Sequence, residues 1–547
     1  MSDTSKLDQG HSRRSFLTLG ATLGATALLP VRRAGAQALS VRPDIASTAG
    51  SGMLDLYAKA VAKMQDPAIN IPPQPYSWTF QAHIHGVPKD PFHPVESDGI
   101  YNGSAQLRQR IDLIYGNPAA GTPRAAWKAA ALKTWATCPH GSPWFVAWHR
   151  WYIFYFEKII RQMSGAPNFA LPYWNYASND SSSLQLPAPF QDSANPLYED
   201  LRGLGFASGA GTGPQNVPMN NGGFLPFSQT DYNPALSATP LFPSDDDFFE
   251  PPDPRYYAFG LTGRLEIQPH DFVHVNIGGL MQNVPVAAID PIFYVHHCQI
   301  DRLWAAWQAA PGSVYNWGNT ATAPSQKIWG GRQFTFVGEG GKLVTVTAEG
   351  ELSTKKMGYE YSSLPTATPP PVMAAAPPRP QAMAAAAPAQ GGGLVVGSGG
   401  ARATVKRGAA PPPGAAAAPQ VTAAVPTTLV LKDVKLINRP PAPLHVFVNL
   451  PEGAAATLDS PYHVGTLNLF KWDTGSGGPV KDLPQTFGMG HTMPGTGDFT
   501  FRIGEVLERQ KANNLWDGGD VSVTVTTLGA DRSRGRTYVR IGQILLM

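Results

Sequence analysis

Charged residues, cysteines and long apolar runs are all scarce in this chain of 547 residues. Charged side chains make up 15% of the sequence and the net charge is +3, without a basic patch interleaved with aromatic residues, which argues against nucleic acid as a partner. The two cysteines, Cys138 and Cys298, are too few for a disulfide framework. No stretch beyond the N-terminal region is long and apolar enough to span a bilayer.

The N-terminus has the composition of an export signal. Arg13 and Arg14 form a twin-arginine pattern, an apolar run of small residues follows at 18–29, and small-residue cleavage boxes lie at 34–36 and 36–38. We therefore expect residues 1–38 to be a signal peptide. The mature protein is then exported by the twin-arginine route and is periplasmic or secreted.

Composition divides the remaining chain into three parts. Residues 39–362 carry aromatic and apolar runs with helical periodicity, and long polar loops are expected at 178–256. Residues 363–427 are rich in Ala, Pro and Gly, which predicts a flexible linker in which the short run 394–396 docks as a strand. Residues 428–547 alternate apolar and polar residues between turns, which predicts a β-sandwich with one short helix near 503–510. The predicted fold class is mainly α: an antiparallel helical bundle followed by an all-β sandwich.

Histidines form the strongest local signal, because nine of the thirteen lie between positions 83 and 297 in tight clusters. His270 and His274 are four residues apart, so on a helix they point the same way, and the pair His296–His297 follows. Imidazoles without thiolate or carboxylate ligands suit copper, zinc, iron or nickel. The pattern therefore predicts a metal site between facing helices.

The motifs around these histidines resemble those of the type-3 dicopper proteins, the family of tyrosinases, catechol oxidases and haemocyanins. Within it the chain is most similar to polyphenol oxidases with a C-terminal shielding domain. Residues 81–85, 140–142 and 148–157 match the first copper motif, and residues 270–274 and 290–302 match the second. Tyr359 and Tyr361 resemble the tyrosine pair that closes the catalytic domain in plant-type members. The resemblance covers about residues 50–362 and, more weakly, 428–547.

The resemblance implies two copper ions, with O₂ as the co-substrate and small phenols as substrates. Each ion would be held by three histidines, which are His85, His140 and His149 for one ion and His270, His274 and His297 for the other. The neighbours His83 and His296 would lie outside the coordination spheres. Such a pair gives two electrons to O₂ at once, which implies ortho-hydroxylation of monophenols and oxidation of catechols to o-quinones.

Three positions near the second motif are implied to set substrate preference. Glu266 matches the carboxylate that holds a water able to take the proton from an incoming phenol. Asp271 stands where Asn or Asp favours phenol deprotonation, and Val284 takes the position of the gate residue and leaves access open. The simpler interpretation of Glu266 and Asp271 is a surface role or the orientation of an imidazole. Together the three positions favour a tyrosinase over a strict catechol oxidase.

Cys138 stands two residues before His140, and the resemblance to fungal-type tyrosinases implies a thioether between them. Plant-type members place the linking cysteine just after the first copper-binding histidine, where this chain has Gly86, Val87 and Pro88. A free thiol and a disulfide to Cys298 are the alternatives. Cys298 itself is expected to be a small buried residue.

The C-terminal domain is implied to cover the site and to keep the enzyme latent until an activating protease cleaves it or it is displaced. The polar, sulfur-rich loop 487–493 is the candidate source of a blocking side chain. The alternative is a domain that only aids stability or the formation of a homo-oligomer.

Three other functions stay open. A catechol oxidase or o-aminophenol oxidase would share the scaffold but would not hydroxylate monophenols. An O₂ carrier similar to haemocyanin would shield its site from substrates, and the export signal, Val284 and the removable domain argue against it. A zinc or di-iron hydrolase would need carboxylate ligands or an activated water, so all-imidazole coordination argues against that class.

Overall fold

The computed structural model describes residues 39–547, apart from 97, 101, 141–143, 178–179, 212–214, 238–264, 312, 314, 316–325, 352, 368–392, 407–424, 459, 471, 473–495 and 529–534. The predicted signal peptide and the candidate blocking loop 487–493 lie outside the described residues. Among the helices that are described, none combines the length and the apolar character needed to cross a membrane.

The first part of the described chain is mainly helical. Its helices are α1 Thr48–Met64, α2 Pro67–Asn70, α3 Trp78–His85, α4 Ala105–Tyr115, α5 Pro123–Thr134, α6 Phe145–Ser164, α7 Ala188–Gln191, α8 Phe227–Thr230, α9 Asn233–Leu236, α10 Phe272–Ile277, α11 Ile292–Ala309, α12 Gln326–Gly330 and α13 Thr354–Met357. A π-helical turn, Glu266–Asp271, leads directly into α10.

Short strands pair at the periphery of the helices. The pairs are β1 Ser40–Arg42 with β8 Tyr359–Tyr361, β2 Val87–Pro88 with β3 Gly99–Ile100, β4 Leu204–Gly205 with β5 Val217–Pro218, and β6 Gln333–Val337 with β7 Leu343–Thr347. The parallel pair of β1 and β8 brings together the two ends of the helical domain.

Helix α6 lies at the centre of this domain. It packs against both α1 and α11, and its buried side chains include Trp148, Tyr152 and Phe156. Gly165, with a left-handed φ of +73°, ends the helix. A helix that is apolar on nearly every side has to be surrounded by other elements. Helix α6 is therefore a core helix, and it carries His149 near its start.

A buried network of charges joins the domain ends to this centre. Arg42 on β1 donates to Glu157 Oε2 at 2.9 Å and to Asp301 Oδ2 at 3.3 Å. Arg150 on α6 donates to Asp301 Oδ1, and the Tyr361 hydroxyl donates to Asp301 Oδ2. Burial by itself would raise the pKa of Asp301, but the guanidiniums of Arg150 and Arg42 outweigh it and lower that pKa below its usual value. The carboxylate therefore stays ionised at neutral pH.

A second buried ion pair fixes the start of α11. The two oxygens of Asp290 accept from Arg202 at 2.7 and 2.9 Å, and Oδ1 also accepts from the backbone N–H of Ile292 at 3.1 Å. Both charged side chains are fully buried. Because a bidentate pair of this kind has a defined geometry, α11 begins at a fixed place and carries His297 on its second turn.

The second part of the described chain is an antiparallel β-sandwich. Its strands are β9 Leu394–Gly397, β10 Ala401–Val405, β11 Thr428–Leu436, β12 Leu444–Val448, β13 His463–Leu467, β14 Thr496–Arg502, β15 Val521–Thr527, β16 Thr537–Ile541 and β17 Gln543–Leu546, with the short helix α14 at Gly504–Ala512. One sheet has the order β10-β15-β12-β13, and the other has the order β14-β11-β16-β9 with β17 also paired to β11. The predicted fold class is confirmed.

Two of these strands come from the segment that was predicted as a linker, 363–427. Strand β9 pairs with β16 and strand β10 pairs with β15. Val396 and Val405 are buried in the sandwich core. The docking of 394–396 as a strand is thus confirmed, and the sandwich starts at Leu394 rather than at residue 428.

The expectation of long surface loops over 178–256 is wrong for much of the part that is described. Phe190, Phe206 and Leu225 are buried there, although polar residues surround them in the sequence. Phe206 packs against Phe447 and Leu450 of the sandwich. Scattered apolar anchors in a polar segment therefore form part of the contact between the helical domain and the sandwich.

The charge network leads to a prediction about stability. Asp301→Asn should lower the free energy of unfolding by about 3–5 kcal/mol, because it leaves two buried guanidiniums without their shared carboxylate. Urea unfolding of the full chain, followed by tryptophan fluorescence, measures the change. The control is Asp55→Asn on the exposed side of α1, which should change the free energy by less than about 0.5 kcal/mol. Equal effects of the two substitutions would contradict the assigned role of Asp301.

Candidate metal centre

The six predicted ligands are brought together from separate parts of the helical domain. Five of them lie on helical segments, as expected from the sequence, and one lies on the connection between α5 and α6. Their positions are His85 at the end of α3, His140 in that connection, His149 on the first turns of α6, His270 in the π-helical turn, His274 on α10 and His297 on α11.

These side chains form two groups that adjoin. The first contains His85, Cys138, His140 and His149, and the second contains His270, His274, His296 and His297. Within each group the possible ligand atoms lie within 4.8 Å of one another, and every member is buried. The rings of His149 and His297 stack with their centroids 4.3 Å apart and an interplanar angle of 13°. The two predicted half-sites therefore form one centre.

Backbone carbonyls set the ring orientation of four of the histidines. The distance from the histidine Nδ1 to the carbonyl oxygen is 3.0 Å from His85 to Val284, 2.8 Å from His149 to Phe145, 3.2 Å from His270 to Glu266, and 2.9 Å from His274 to Met281. A carbonyl oxygen can only accept, so each of these Nδ1 atoms carries the hydrogen and each Nε2 carries the lone pair. The Nε2 atoms of His85 and His270 are buried, without a hydrogen-bond partner in the described part of the chain.

Burial also keeps these imidazoles neutral. It lowers the pKa of His85 to about 3 and holds the pKa values of His149, His270, His274 and His297 well below 6.5. His274 Nε2, which carries a lone pair, lies only 3.3 Å from His297 Nε2. Neutral imidazoles with buried, converging lone pairs are a donor set for transition metals. The residues present therefore fit two such ions.

The two vicinal histidines differ in their relation to the centre. His83 packs edge-on against Trp135 at 4.7 Å and is not a member of the first group. His296 is a member of the second group: its ring lies 4.8 Å from that of His274 and 5.5 Å from that of His270. The choice of His297 over His296 as ligand stays a prediction, which the short approach of His297 Nε2 to His274 Nε2 supports.

Cys138 faces two histidines of the first group. Its Sγ lies 3.3 Å from Nδ1 and 3.8 Å from Nε2 of His140, and 3.3 Å from Nε2 of His149. The sulfur therefore approaches the edge of the His140 ring that carries Cε1. Cys298 is fully buried, as expected, and donates to the Leu171 carbonyl at 3.2 Å. Neither thiol is part of a disulfide, so the disulfide alternative is wrong for this structure.

Each of the three positions expected to set substrate preference contacts a histidine of the centre. Asp271 Oδ1 lies 2.8 Å from His270 Nδ1. Glu266 and Val284 make their contacts through backbone carbonyls, which accept from His270 and His85 respectively. All three residues lie beside the centre, and their effects on substrate preference remain predictions.

A side chain of the sandwich covers the second group. Phe470, which follows β13, is fully buried, and its ring stacks on His274 at 4.2 Å with an interplanar angle of 20°. It also stands edge-on to His270 at 5.6 Å and to His140 at 5.7 Å. Asn468 Nδ2 donates to Asp271 Oδ2 at 2.7 Å. Sequence reasoning missed both residues, since neither differs in type from ordinary sandwich residues.

Arg439 holds the segment that carries Phe470. Its guanidinium donates to the carbonyls of Leu469, at 3.3 Å, and of Trp472, on either side of Phe470. The same group lies 3.4 Å from the carbonyl of Gln282 in the helical domain. One cation thus shapes the covering segment and links it to the domain that it covers.

Gly86 allows α3 to approach the loop that orients His85. A β-carbon at position 86 would lie 2.5 Å from Pro285 Cα, closer than two carbon atoms can approach. Pro285 directly follows Val284, whose carbonyl accepts from His85. A glycine is therefore needed at position 86 for α3 to pack against this loop.

Comparison with known proteins finds a family model that matches the residues of the metal centre, and several similar proteins. A family model described as "Common central domain of tyrosinase" matches residues 75–310. The tyrosinase HcTyr1 of Hahella sp. (strain CCB-MM4) is 32% identical over 324 residues, which are 56% of this chain and 60% of that protein. The chloroplastic polyphenol oxidase A1 of Vicia faba is 31% identical over 243 residues, which are 41% of this chain and 38% of that protein. The chain thus spans less than two thirds of the length of either relative.

Two solved structures align with this chain over more than 90% of its length. Latent aurone synthase, a polyphenol oxidase, is 21% identical, with 94% of this chain and 91% of that chain covered and a TM-score of 0.48. Latent apple tyrosinase is 22% identical, with 93% and 97% covered and a TM-score of 0.48.

The packing of Gly86 leads to a prediction about copper binding. Gly86→Ala should lower the copper content of the purified chain from about two ions towards one, because the new methyl group pushes His85 away from the first group. Elemental mass spectrometry measures the copper bound per chain. Gly52→Ala is the matched control, since a β-carbon there meets nothing within 4 Å. Full copper content in Gly86→Ala would show that His85 is not needed for the first ion.

Proposed function

We propose that this chain belongs to the tyrosinase family of type-3 dicopper proteins and that it oxidises phenols with O₂. The reactions are ortho-hydroxylation of monophenols and oxidation of o-diphenols to o-quinones. The observation that carries the proposal is the pair of adjoining groups of buried, neutral imidazoles, covered on one side by a single aromatic ring.

The two groups provide three imidazoles for each copper ion. His85, His140 and His149 would hold one ion, and His270, His274 and His297 would hold the other. Bound there, the copper pair supplies the two-electron exchange with O₂ that phenol oxidation requires. The chain contributes neutral rings. Backbone carbonyls accept the Nδ1 hydrogens of His85, His149 and His274, and His270 Nδ1 faces both Asp271 Oδ1 and the Glu266 carbonyl.

The position of Phe470 indicates where a phenol ring binds. Its six-membered ring lies parallel to His274, within van der Waals distance, in a space of the size that a phenol needs. A phenol in this place has its hydroxyl near the oxygen of Asp271 that now accepts from Asn468. We infer that Asp271 Oδ2 accepts the phenolic proton, with a water held by Glu266 as the other acceptor. The small side chain of Val284 leaves the approach to the first group open.

The short contacts of Cys138 support the proposed thioether. The bond would join Cys138 Sγ to His140 Cε1, with loss of the thiol hydrogen and the ring hydrogen and with O₂ as the two-electron oxidant. Such a bond would fix the His140 ring, which lies on a connection rather than on a helix.

The full chain is latent in this proposal, because Phe470 and Asn468 occupy the place of the substrate. Activity then requires that the sandwich be displaced or that an activating protease cut between the domains. The twin-arginine pattern supports export of the folded protein to the periplasm or beyond. Assembly into a homo-oligomer stays a prediction.

Removal of the covering ring should activate the intact chain. Phe470→Ala should raise the rate of catechol oxidation by the copper-loaded enzyme at least tenfold, because the space above His274 becomes available. Quinone formation followed by absorbance measures the rate. Phe92→Ala, at a phenylalanine that is 87% exposed, is the control and should leave the rate unchanged. An unchanged rate in Phe470→Ala, with full copper content, would contradict the assignment of Phe470 as the residue that covers the site.

The proton acceptor is tested in the activated Phe470→Ala chain with tyrosine and catechol as paired substrates. Asp271→Leu should lower the ratio of tyrosine to catechol turnover at least tenfold, because a catechol depends less on deprotonation by this residue. Asp271→Asn, which can still orient His270, should retain most of the ratio.

Three outcomes decide between the functions. An equal loss on both substrates in Asp271→Leu would give Asp271 a structural role only. Turnover of catechol alone by the parent chain would indicate a catechol oxidase or an o-aminophenol oxidase. Reversible O₂ binding without turnover of either substrate would indicate a carrier.

A further inference from the structure

Among the described residues, indole and phenol rings contact predicted ligands only in the first group of the metal centre. The ring centroid of Trp148 lies 4.9 Å from that of His149 and 6.1 Å from that of His85, and Tyr152 lies 6.4 Å from His85. These rings lose an electron more readily than a phenyl ring does. The Tyr152 hydroxyl donates to the Gln81 carbonyl at 2.6 Å, which cannot take up the proton that a phenol loses on oxidation. Trp148 is therefore the side chain best placed to give an electron to the centre.

The predicted ligands of the second group contact phenyl rings instead. In the described chain, the carbon rings in contact with His270, His274 and His297 are those of Phe145, Phe293 and Phe470. Phenylalanine resists one-electron oxidation, so none of these three rings can relay an electron. The supply of single electrons from the described residues is therefore confined to the side of the centre that Trp148 contacts.

Trp148 is followed on α6 by a second indole, that of Trp151. The two residues, which we call the indole pair, are three positions apart and so are neighbours on one side of the helix. Phe336 of β6 contacts Trp148 at 5.4 Å and Tyr155 at 5.8 Å, which holds these rings against the helix. The Tyr155 ring stacks on Trp151 at 5.6 Å with an interplanar angle of 12°. An electron-rich ring in this position stabilises a positive charge on Trp151.

The indole pair leads from the buried centre towards the surface of the helical domain. Trp148 is 1% exposed and Trp151 is 6% exposed. Trp151 donates its indole N–H to the carbonyl of Thr347 on β7 at 3.0 Å. A β-carbon at Gly350, an exposed residue, would lie 3.6 Å from Trp151 Cζ2. This edge of Trp151 therefore lies directly beneath the protein surface, within reach of a reductant in solution.

Neighbouring charges favour the indole pair over Trp304, another buried indole of the helical domain. The guanidinium of Arg150 lies 3.7 Å above the Trp304 ring. A cation over the face of a ring stabilises its electrons and disfavours their loss. Within the described chain no cation lies over either ring of the indole pair, and Lys158 Nζ is 5.9 Å from the centroid of the tyrosine stacked on it. The indole pair is therefore easier to oxidise than Trp304.

We propose that the indole pair carries electrons from a small reductant in solution to the metal centre while Phe470 covers it. Trp148 gives one electron to the oxidised centre and regains it from Trp151, which in turn takes one from the reductant. The N–H of Trp151 stays bonded to a carbonyl, so each passage moves one electron and no proton through the pair. The ligand histidines are thereby spared oxidation when no substrate can enter. The proposal rests on copper in the centre and not on the oxidation of phenols.

Peptide mass spectrometry of the copper-loaded full chain after treatment with hydrogen peroxide tests the path. Without a reductant, oxygen addition should concentrate at Trp151, because that ring is the outer end of the pair. Ferrocyanide, a one-electron reductant too large to pass the buried Phe470, should lower this addition at least fivefold, with two ferrocyanide ions oxidised for each peroxide reduced to water. The zinc-loaded chain is the control, since zinc has no redox chemistry, and should show at least fivefold less addition. Equal addition at Trp151 in the zinc-loaded and copper-loaded chains would mean direct attack by peroxide and would overturn the proposal.

Two variants and a control assign the path to the indole pair. Trp148→Phe keeps a ring beside His149 but removes the oxidisable group. Oxygen addition should then fall at least fivefold at Trp151 and rise at least threefold at His85 and His149. Trp151→Phe, at the outer end, is the second variant in case Trp148→Phe does not fold, and should shift the addition to Trp148. Trp127→Phe, at a half-buried indole on α5, is the matched control and should leave the pattern as it is in the parent chain.

The outcomes separate this proposal from the proposed function. Unchanged addition at Trp151 in Trp148→Phe, with full copper content, would overturn the electron path. Phenol oxidation by Phe470→Ala, together with equal oxygen addition at Trp127 and Trp151 in the parent chain, would support the proposed function and overturn the path. Addition concentrated at Trp151 in a chain that oxidises no phenol would do the reverse.

Discussion

The ionised carboxylate of Asp301 connects the parts of the chain that carry the two halves of the metal centre. Its partner Arg150 follows His149 on α6, and Asp301 itself lies one turn after His297 on α11. The ion pair therefore spans the same two helices whose histidine rings stack at 4.3 Å. A buried ion pair is a weak source of net stability because both charges lose their hydration. We infer that its contribution here is the fixed position of α6 relative to α11.

Ring orientation depends on a different set of atoms. The Nδ1 atoms of four histidines face backbone carbonyls, and the carbonyl of Val284 is one of these. The resemblance to the type-3 dicopper family predicted which histidines would come together, and helical periodicity placed His270 and His274 on the same side of a helix. It could not predict the carbonyl acceptors, since every residue type has the same carbonyl. Val284 was expected to act through its small side chain, and the structure adds its backbone.

In the sandwich, too, the features that depend on neighbouring residues were predictable, and the contacts between distant residues were not. Period-two alternation predicted the strands from 428 onward, and the short helix near 503–510, which is α14, was predicted from its own sequence. Both signals are local in the chain. The packing of β12 on the helical domain was not predictable, since Phe447 has the pattern of an outward residue of an ordinary strand and its partner Phe206 is distant in the sequence. Strand β10 was missed because its few apolar residues lie within a segment dominated by Ala, Pro and Gly.

One extended segment both covers the metal centre and contacts the helical domain beside it. Thr466, Asn468 and Phe470 are spaced by two residues, so they share one face of the chain that leaves β13. They contact Gln229, Asp271 and His274 respectively, all in the helical domain. The three contacts lie within five consecutive residues, so one short segment carries both the covering of His274 and a part of the contact between the two domains. The side chains that cover the metal centre and a side chain that binds the sandwich to the helical domain therefore belong to one row.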